Sequence, residues 1–298
     1  METLYLVGVD GSNCGKRALA YAMERRQGRA IGAPKDQSSL IIEHPDVRRM
    51  LMTMKANIEA MRALMLDTSA AGDLSSHGAD EEARLGGVNR AALLTPIAKA
   101  WSTDLGIEIT SLGIQIHGGM GFVEEAGAAQ HWRDSRIAPI YEGTNGIQAI
   151  DLVMRKVPLA EGAVVAAYLD EMLATADDLR ASGNGLAAVG ESLATGVAGL
   201  RETTEWLLAS SDPNDALAGA TPYLRQFGII AGGYYLARSA KVAHELLAAN
   251  GDDPWLKAKI DTCAFYADQI LPQAAGAAPA VTVGAPQLFA IDADMLGQ

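Results

Sequence analysis

Residues 45–65 read PDVRRMLMTMKANIEAMRALM, with apolar side chains at Val47, Met50, Leu51, Met54, Ile58, Met61 and Met65. Steps of three and four place these side chains on one face of an α-helix. Arg48, Arg49, Lys55 and Glu59 lie largely off that stripe, and Pro45 suits a helix start because its missing N–H would be unpaired there anyway.

The pattern continues in both directions. Upstream, a helix is expected from about Cys14 to Arg26, ended by Gly28, Gly32 and Pro34. Downstream, Gly72 to Gly87 is rich in Ser, Asp, Glu and Gly and reads as a solvent-exposed loop. A further helix is expected over about Ala91 to Ile116, with Trp101, Leu105, Ile109, Leu112 and Ile116 along one side. The glycines at 118, 119 and 121 then stop the chain, and a short segment follows around Ala126 to Arg133. Another helix starts after Gly143 and runs to about Val157, with Ile147, Ile150, Leu152 and Val153 as its apolar face.

At 298 residues the chain has room for two cores. Few aromatic residues and β-branched runs, against many Ala, Leu, Met and Glu, make the expected fold all-α. Pro158 and Glu161-Gly162 mark the best boundary, dividing the chain into 1–157 and 158–298. The second part reads as a helical bundle over about Val164 to Ala181, Leu186 to Ala209, Ala216 to Ala249 and Pro254 to Ile270. Gly228, Gly232 and Gly233 would permit close helix packing, and an irregular Ala/Gly/Pro-rich tail is expected from about Gln273.

The formal net charge of −12 opposes binding to nucleic acid or to an anionic membrane surface. No stretch is long and apolar enough to span a bilayer, and the first residues fit no signal peptide. Cys14 and Cys263 are far apart and lack metal-ligand spacing, which suits a reducing compartment, the cytoplasm by default. His44, His77, His117, His131 and His244 show no ligand pairing, so no metal is expected.

The candidate chemistry lies at Ile140-Tyr141-Glu142-Gly143-Thr144-Asn145-Gly146-Ile147-Gln148. Here a carboxylate with apolar and aromatic neighbours sits at the lip of a glycine turn that opens a helix. Tyr141 and Ile140 would supply surroundings that favour use of Glu142 as a base, against the plainer reading of a helix-start carboxylate. In Gln115-Ile116-His117-Gly118-Gly119 the glycines either cap a helix or let a phosphate or ribose lie against bare backbone beside Gln115. Arg25 and Arg26 are candidate partners for a phosphate on an otherwise acidic chain.

Two imitations are set aside. Gly11 to Arg17 has Asp10 in place of the leading glycine of a phosphate-binding loop and Arg17 in place of its Ser or Thr. Gly119-Met120-Gly121 lacks the third glycine of a dinucleotide fingerprint, which is Glu124 here.

Three segments together resemble acyl-CoA dehydrogenases: AYAMERRQGRAI from Ala20 to Ile31, QIHGGMGF from Gln115 to Phe122, and RDSRIAPIYEGTNGIQ from Arg133 to Gln148. The likeness is greatest to the longer polypeptides of that family, which carry an additional helical C-terminal domain and include methylthiopropanoyl-CoA dehydrogenase-like enzymes. It implies FAD-dependent α,β-desaturation of an acyl-CoA thioester. Glu142 matches the base that removes the α-proton, and Gly143 the substrate-contacting glycine after it. The enolate-like charge would be stabilised by the glutamate's backbone N–H and by the flavin ribityl chain.

By the same resemblance, Arg25, Arg26 and Gln27 match the segment that meets the FAD pyrophosphate. Gln115 to Gly119, with Gly118 and Gly119, match an adenosine-side contact across a subunit interface. Thr144, Asn145 and Gly146 match the contact following the base. Because some groups serve a neighbour's flavin in the family, the resemblance implies a dimer or tetramer, with an electron-transferring flavoprotein as a further partner. Family members carry an N-terminal helical domain and a central β-domain before the segment that begins here near Arg17, and neither pattern occurs in this sequence. Gly28 replaces the family's usual aromatic residue, and Pro45 stands where a glutamine is common. Three functions therefore remain open: a dehydrogenase acting as a truncated form or with a partner chain, a silent helical scaffold binding full-length relatives, and an acyl-CoA oxidase.

Overall fold

The computed structural model describes residues 2–182 and 185–297, and for residues 2–10 the backbone alone. Its helices are α1 (Glu2–Glu24), α2 (Pro45–His77), α3 (Glu81–His117), α4 (Gly119–Phe122), α5 (Ala128–Arg136) and α6 (Asn145–Asp151) in the first part. The second part holds α7 (Ala163–Ala181), α8 (Ala187–Ala209), α9 (Pro213–Ala218), α10 (Ala220–Asn250), α11 (Pro254–Gln269) and α12 (Gln273–Thr282). Among the described residues there is no strand, only an isolated antiparallel bridge between Arg26 and Leu40. The all-α expectation holds.

The α2 stripe is the core seam: Met50, Met54, Ile58, Met61 and Met65 are buried, with Val47 and Leu51 packed at its margin. Trp101, Leu105, Ile109 and Ile116 of α3 are buried against the same core.

Three expected boundaries shift. The first helix begins at Glu2 and ends at Glu24, ahead of Arg25 and Arg26. The loop expected over Gly72–Gly87 shrinks to three residues, because α2 runs on to His77 and α3 starts at Glu81, capped by the Asp80 side chain accepting from Ala83 N. Gly78 and Gly87 serve a tight crossing: a Cβ on Gly87 would lie 2.5 Å from Ser75 N and 2.9 Å from Ala71 O, and one on Gly78 2.8 Å from Leu74 O. The tail expected to be irregular from Gln273 first forms α12, which packs on α8 and α10 and buries Ala274 and Val281; beyond it, residues 283–297 are irregular apart from two 3-10 turns. Small residues that carry little local signal permit that close contact. A Cβ on Gly219 would sit 2.4 Å from Val281 O.

α10 packs on α2, α3, α6, α7, α8, α11 and α12, so one hydrophobic core continues through both parts. Gly228 and Gly232 make this possible, as Trp101 fills the space where their side chains would be. A Cβ on Gly228 would lie 2.3 Å from Trp101 Cγ, and Trp101 is 2% exposed with nowhere to move. Gly228→Ala is therefore expected to destabilise by about 1–3 kcal/mol net, despite a helix-propensity gain of about 1 kcal/mol. A urea midpoint equal to the wild type's would refute the close crossing of α10 over α3.

Between α6 and α7 the chain passes through a wider π turn, Leu152–Lys156, and a 3-10 turn, Leu159–Gly162. In the latter, Ala160 (φ 49°) and Glu161 (φ 57°) adopt left-handed backbone.

A second set of contacts spans the two parts. Arg90 Nε donates to Asp67 Oδ2 at 2.7 Å, and Arg90 Nη1 donates to Glu171 Oε2 at 2.6 Å. Tyr234 donates to Glu171, Tyr235 donates to Asp67 Oδ2 at 2.8 Å, and the Arg90 guanidinium stacks 4.8 Å over the Tyr168 ring. Lys259 of α11 likewise reaches Glu59 of α2 at 2.8 Å. No described helix is long and apolar enough to cross a membrane.

Candidate active site

Glu142 occupies a turn between α5 and α6, with φ 55°, and Gly143 follows with φ 80°. Both are in the left-handed region, which suits glycine and costs a glutamate of order 1 kcal/mol. Thr144 caps α6 as its side chain accepts from Ile147 N at 3.3 Å. Glu142, Gly143, Thr144 and Gly146 are exposed.

The apolar surroundings expected of Glu142 take a different form. Ile140 and Ile147 are 48% and 55% exposed, and Ile137 and Ile150 also face outward. They therefore lie open to solvent and do not enclose the turn. Ile147 and Ile150 thus depart from the buried face expected of them, whereas Leu152 and Val153 are buried as expected.

Asn145 turns inward. Its amide nitrogen donates to Ala100 O (3.0 Å), Thr103 Oγ1 (2.9 Å) and Asp104 Oδ1 (2.7 Å), and its oxygen accepts from Lys99 Nζ at 3.0 Å. Lys99 Nζ also donates to Gly143 O at 2.7 Å. Burial pushes the Lys99 pKa down, against the nearby carboxylates of Asp104 and Glu142 that favour its charged form. Burial likewise raises Asp104, against its hydrogen bond from Asn145.

Sequence reasoning passed over Lys99, Thr103 and Asp104. The signal was a single Lys inside the apolar run Pro96-Ile97-Ala98-Lys99-Ala100-Trp101, with Thr103 one turn later.

A second locus forms at the far end of α3. Arg25, Gln27, Gln115 and Gly118 line one cleft of about 340 Å³ together with Tyr21, His44 and His117. His117 Nδ1 donates to Gly113 O at 2.7 Å, the tautomer this contact requires, and its ring stacks on Tyr21 at 4.5 Å. Gly118 has φ 59° and ψ −140°, a conformation reserved for glycine. A side chain on Gly118 or Gly119 would meet nothing within 4 Å. Their bare backbone therefore borders open space. Gly121 differs, since a Cβ there would strike Ile114 O at 2.3 Å, so it serves packing.

Arg26 does not join this cleft: its guanidinium donates to Ser38 O at 2.7 Å, beside the Arg26–Leu40 bridge. His44, before Pro45 at the start of α2, is held by Gln27 O at 2.9 Å. Lys99 and Gln115 are sixteen residues apart on α3, so the two loci are separated by about 24 Å along that helix.

The fold and these segments find their counterparts among known proteins. Residues 9–157 match the family model described as acyl-CoA dehydrogenase, C-terminal domain, and residues 168–292 match acetyl-CoA dehydrogenase C-terminal like. The chain belongs to the acyl-CoA dehydrogenase family. It is 42% identical over 273 residues to 3-methylmercaptopropionyl-CoA dehydrogenase of Ruegeria pomeroyi, covering 90% of this chain and 46% of that protein. Against butyryl-CoA dehydrogenase of Syntrophomonas wolfei it is 33% identical over 279 residues, covering 89% and 44%.

The chain thus spans somewhat less than half the length of these relatives. In fold it is similar to an acyl-CoA dehydrogenase of Bacillus anthracis complexed with FAD, with a TM-score of 0.71, 16% identity, and 99% and 50% of the two chains covered. It is equally similar to Caenorhabditis elegans ACDH-11 in complex with C11-CoA, with a TM-score of 0.71, 16% identity, and 90% and 42% covered.

Proposed function

We propose that this chain provides the base and part of the FAD site of an acyl-CoA dehydrogenase that desaturates the Cα–Cβ bond of an acyl-CoA thioester. The observation that carries this reading is the pairing of two loci on α3: a supported Glu142 turn, and a cleft that gathers Arg25, Gln27, Gln115 and Gly118. The cleft has the donors for a dinucleotide: a guanidinium for a pyrophosphate, amides for a ribose, and bare glycine backbone for close approach. Bound FAD would supply the acceptor for the β-hydrogen as hydride. Glu142 takes the α-proton onto its carboxylate, and Gly143 leaves room for the thioester beside it.

A separation of about 24 Å between the loci supports a dimer or tetramer in which one chain's cleft serves a neighbour's flavin. An electron-transferring flavoprotein is the proposed acceptor of the electrons. Cys14 and Cys263 are buried free thiols, which supports placing the protein in the cytoplasm.

The deciding experiment is to incubate the chain with FAD, remove free flavin by gel filtration and record the visible spectrum before and after adding acyl-CoAs. Retained flavin that bleaches with an acyl-CoA supports the reading. A folded chain that retains none favours a second reading, a helical scaffold that binds full-length relatives. The exposed isoleucines at 137, 140, 147 and 150, in the segments on either side of Glu142, are the feature that supports this alternative.

Gly119, next to the cleft residue Gly118, tests the glycine contact with the cofactor. Because a methyl there meets nothing within 4 Å, Gly119→Ala is expected to change the unfolding midpoint little while lowering flavin retention about tenfold. Undiminished retention would remove Gly119 from the cofactor contact.

A further inference from the structure

We propose that Lys99, acting with Asn145, is a positioning residue that sets the conformation of the Glu142–Gly143 turn and thereby aims the Glu142 carboxylate. The inference deepens the reading of Glu142 as a base and rests on it.

Two consecutive left-handed residues, one of them a glutamate, persist only where their surroundings over-determine them. The bond from Gln148 Nε2 to Glu142 O is long, at 3.4 Å. A backbone bond from Asn145 N to Pro139 O at 3.0 Å closes the loop around the two residues, and the side-chain contact that fixes Gly143 itself comes from α3, where the Lys99 ammonium reaches Gly143 O at 2.7 Å. That bond orients the peptide plane leaving Gly143, and with it the backbone on either side. The same ammonium holds Asn145 Oδ1, while the Asn145 amide is anchored to Ala100, Thr103 and Asp104. The turn is therefore tied to α3 at two points by one cation.

Lys99 is 6% exposed and flanked by Ala98 and Ala100, a place where an apolar side chain would pack without desolvation cost. A buried cation is weak evidence for stability by itself, and here its donors are directed at the segment that presents Glu142. Its electrostatic reach extends to the Glu142 carboxylate itself. Asn145, matched by resemblance to a cofactor contact, is on this geometry an internal support.

Amide hydrogen exchange of the full chain, wild type against Lys99→Met, tests the lock. Exchange at residues 143–149 is expected to accelerate about 10- to 100-fold, the effect of removing one charge-assisted hydrogen bond, with the rest of α3 unchanged. Acceleration below twofold at those residues overturns the proposal. Should Lys99→Met not fold, Asn145→Ala removes the other half of the lock from a half-buried position, and the same local acceleration is expected.

In the FAD-loaded chain, Lys99→Met is expected to lower the flavin-reduction rate at saturating acyl-CoA while leaving the half-saturating concentration unchanged. A change confined to half-saturation overturns the positioning role. If the wild-type chain reduces no flavin yet the exchange effect is present, the proposed activity of this chain by itself fails and the lock stands; if flavin is reduced normally by Glu142→Gln, the reading of Glu142 as base fails and the lock stands.

Discussion

Glu142→Gln is expected to lower the rate at which an acyl-CoA bleaches bound flavin by about 10²- to 10⁴-fold, with flavin retention unchanged. The substitution exchanges one carboxylate oxygen for an amide nitrogen and keeps the size and backbone demands of the side chain. Glu142 is exposed and lies at the Lys99 end of the site, away from the Arg25–Gln115 cleft, so the cofactor locus does not depend on its charge. What the amide lacks is the capacity to accept the α-proton. Single-turnover spectroscopy on the FAD-loaded chain reads this directly. Normal bleaching by the variant removes Glu142 from the base role, whereas parallel loss of flavin assigns it to binding.

Arg90→Met is expected to cost about 2–4 kcal/mol of stability, less than for a fully buried pair because the cluster is partly open to solvent. Burial by itself would lower the Arg90 pKa and raise that of Glu171. The hydrogen bonds between them reverse both effects, so Arg90 stands above its ordinary value and Glu171 below 4.5.

The sign for pH follows. A carboxylate held low contributes stability that is fully present above its unfolded value near 4.5 and is lost as pH falls through the lower folded value. The gap between wild type and Arg90→Met in urea midpoint is therefore expected to be widest at neutral pH and to narrow below about pH 4. A gap independent of pH would show that Arg90 acts through its packing on Tyr168 and not through Glu171.

Much of this molecule was legible in its sequence because the relevant signals are local. The methionine stripe of α2 and the Trp101–Ile116 stripe of α3 are periodic over many turns, and periodicity needs no partner to be read. Beyond Pro158, α7, α8, α10 and α11 were placed within a few residues for the same reason, whereas the short α9 was not separated from α10. The glycines of α10 announced a close crossing, though not that Trp101 would fill it.

The failures share one cause. Gly87 resembled a loop residue because its role is to let Ser75 and Ala71 approach, and α12 resembled an irregular tail because its helix depends on contact with α8 and α10. Ile147 and Ile150 carry helical spacing, but spacing cannot say whether the face it defines is covered.

For the site, the sequence by itself singled out candidate residues in kind, Glu142 with Gly143, Arg25 with Gln27, and Gln115 with Gly118, and the last four line one cleft. Those motifs are short, and their chemistry is written in consecutive side chains. Only the tertiary structure decided that Arg26 turns to Ser38 while Arg25 faces the cleft, that Asn145 points inward, and that Lys99 ties the Glu142 turn to α3. These arrangements join residues distant in sequence, Lys99 and Asn145 being 46 positions apart and Arg25 further still from Gln115. The direction of a side chain at that range is set by the packing of helices against one another, which no local pattern encodes.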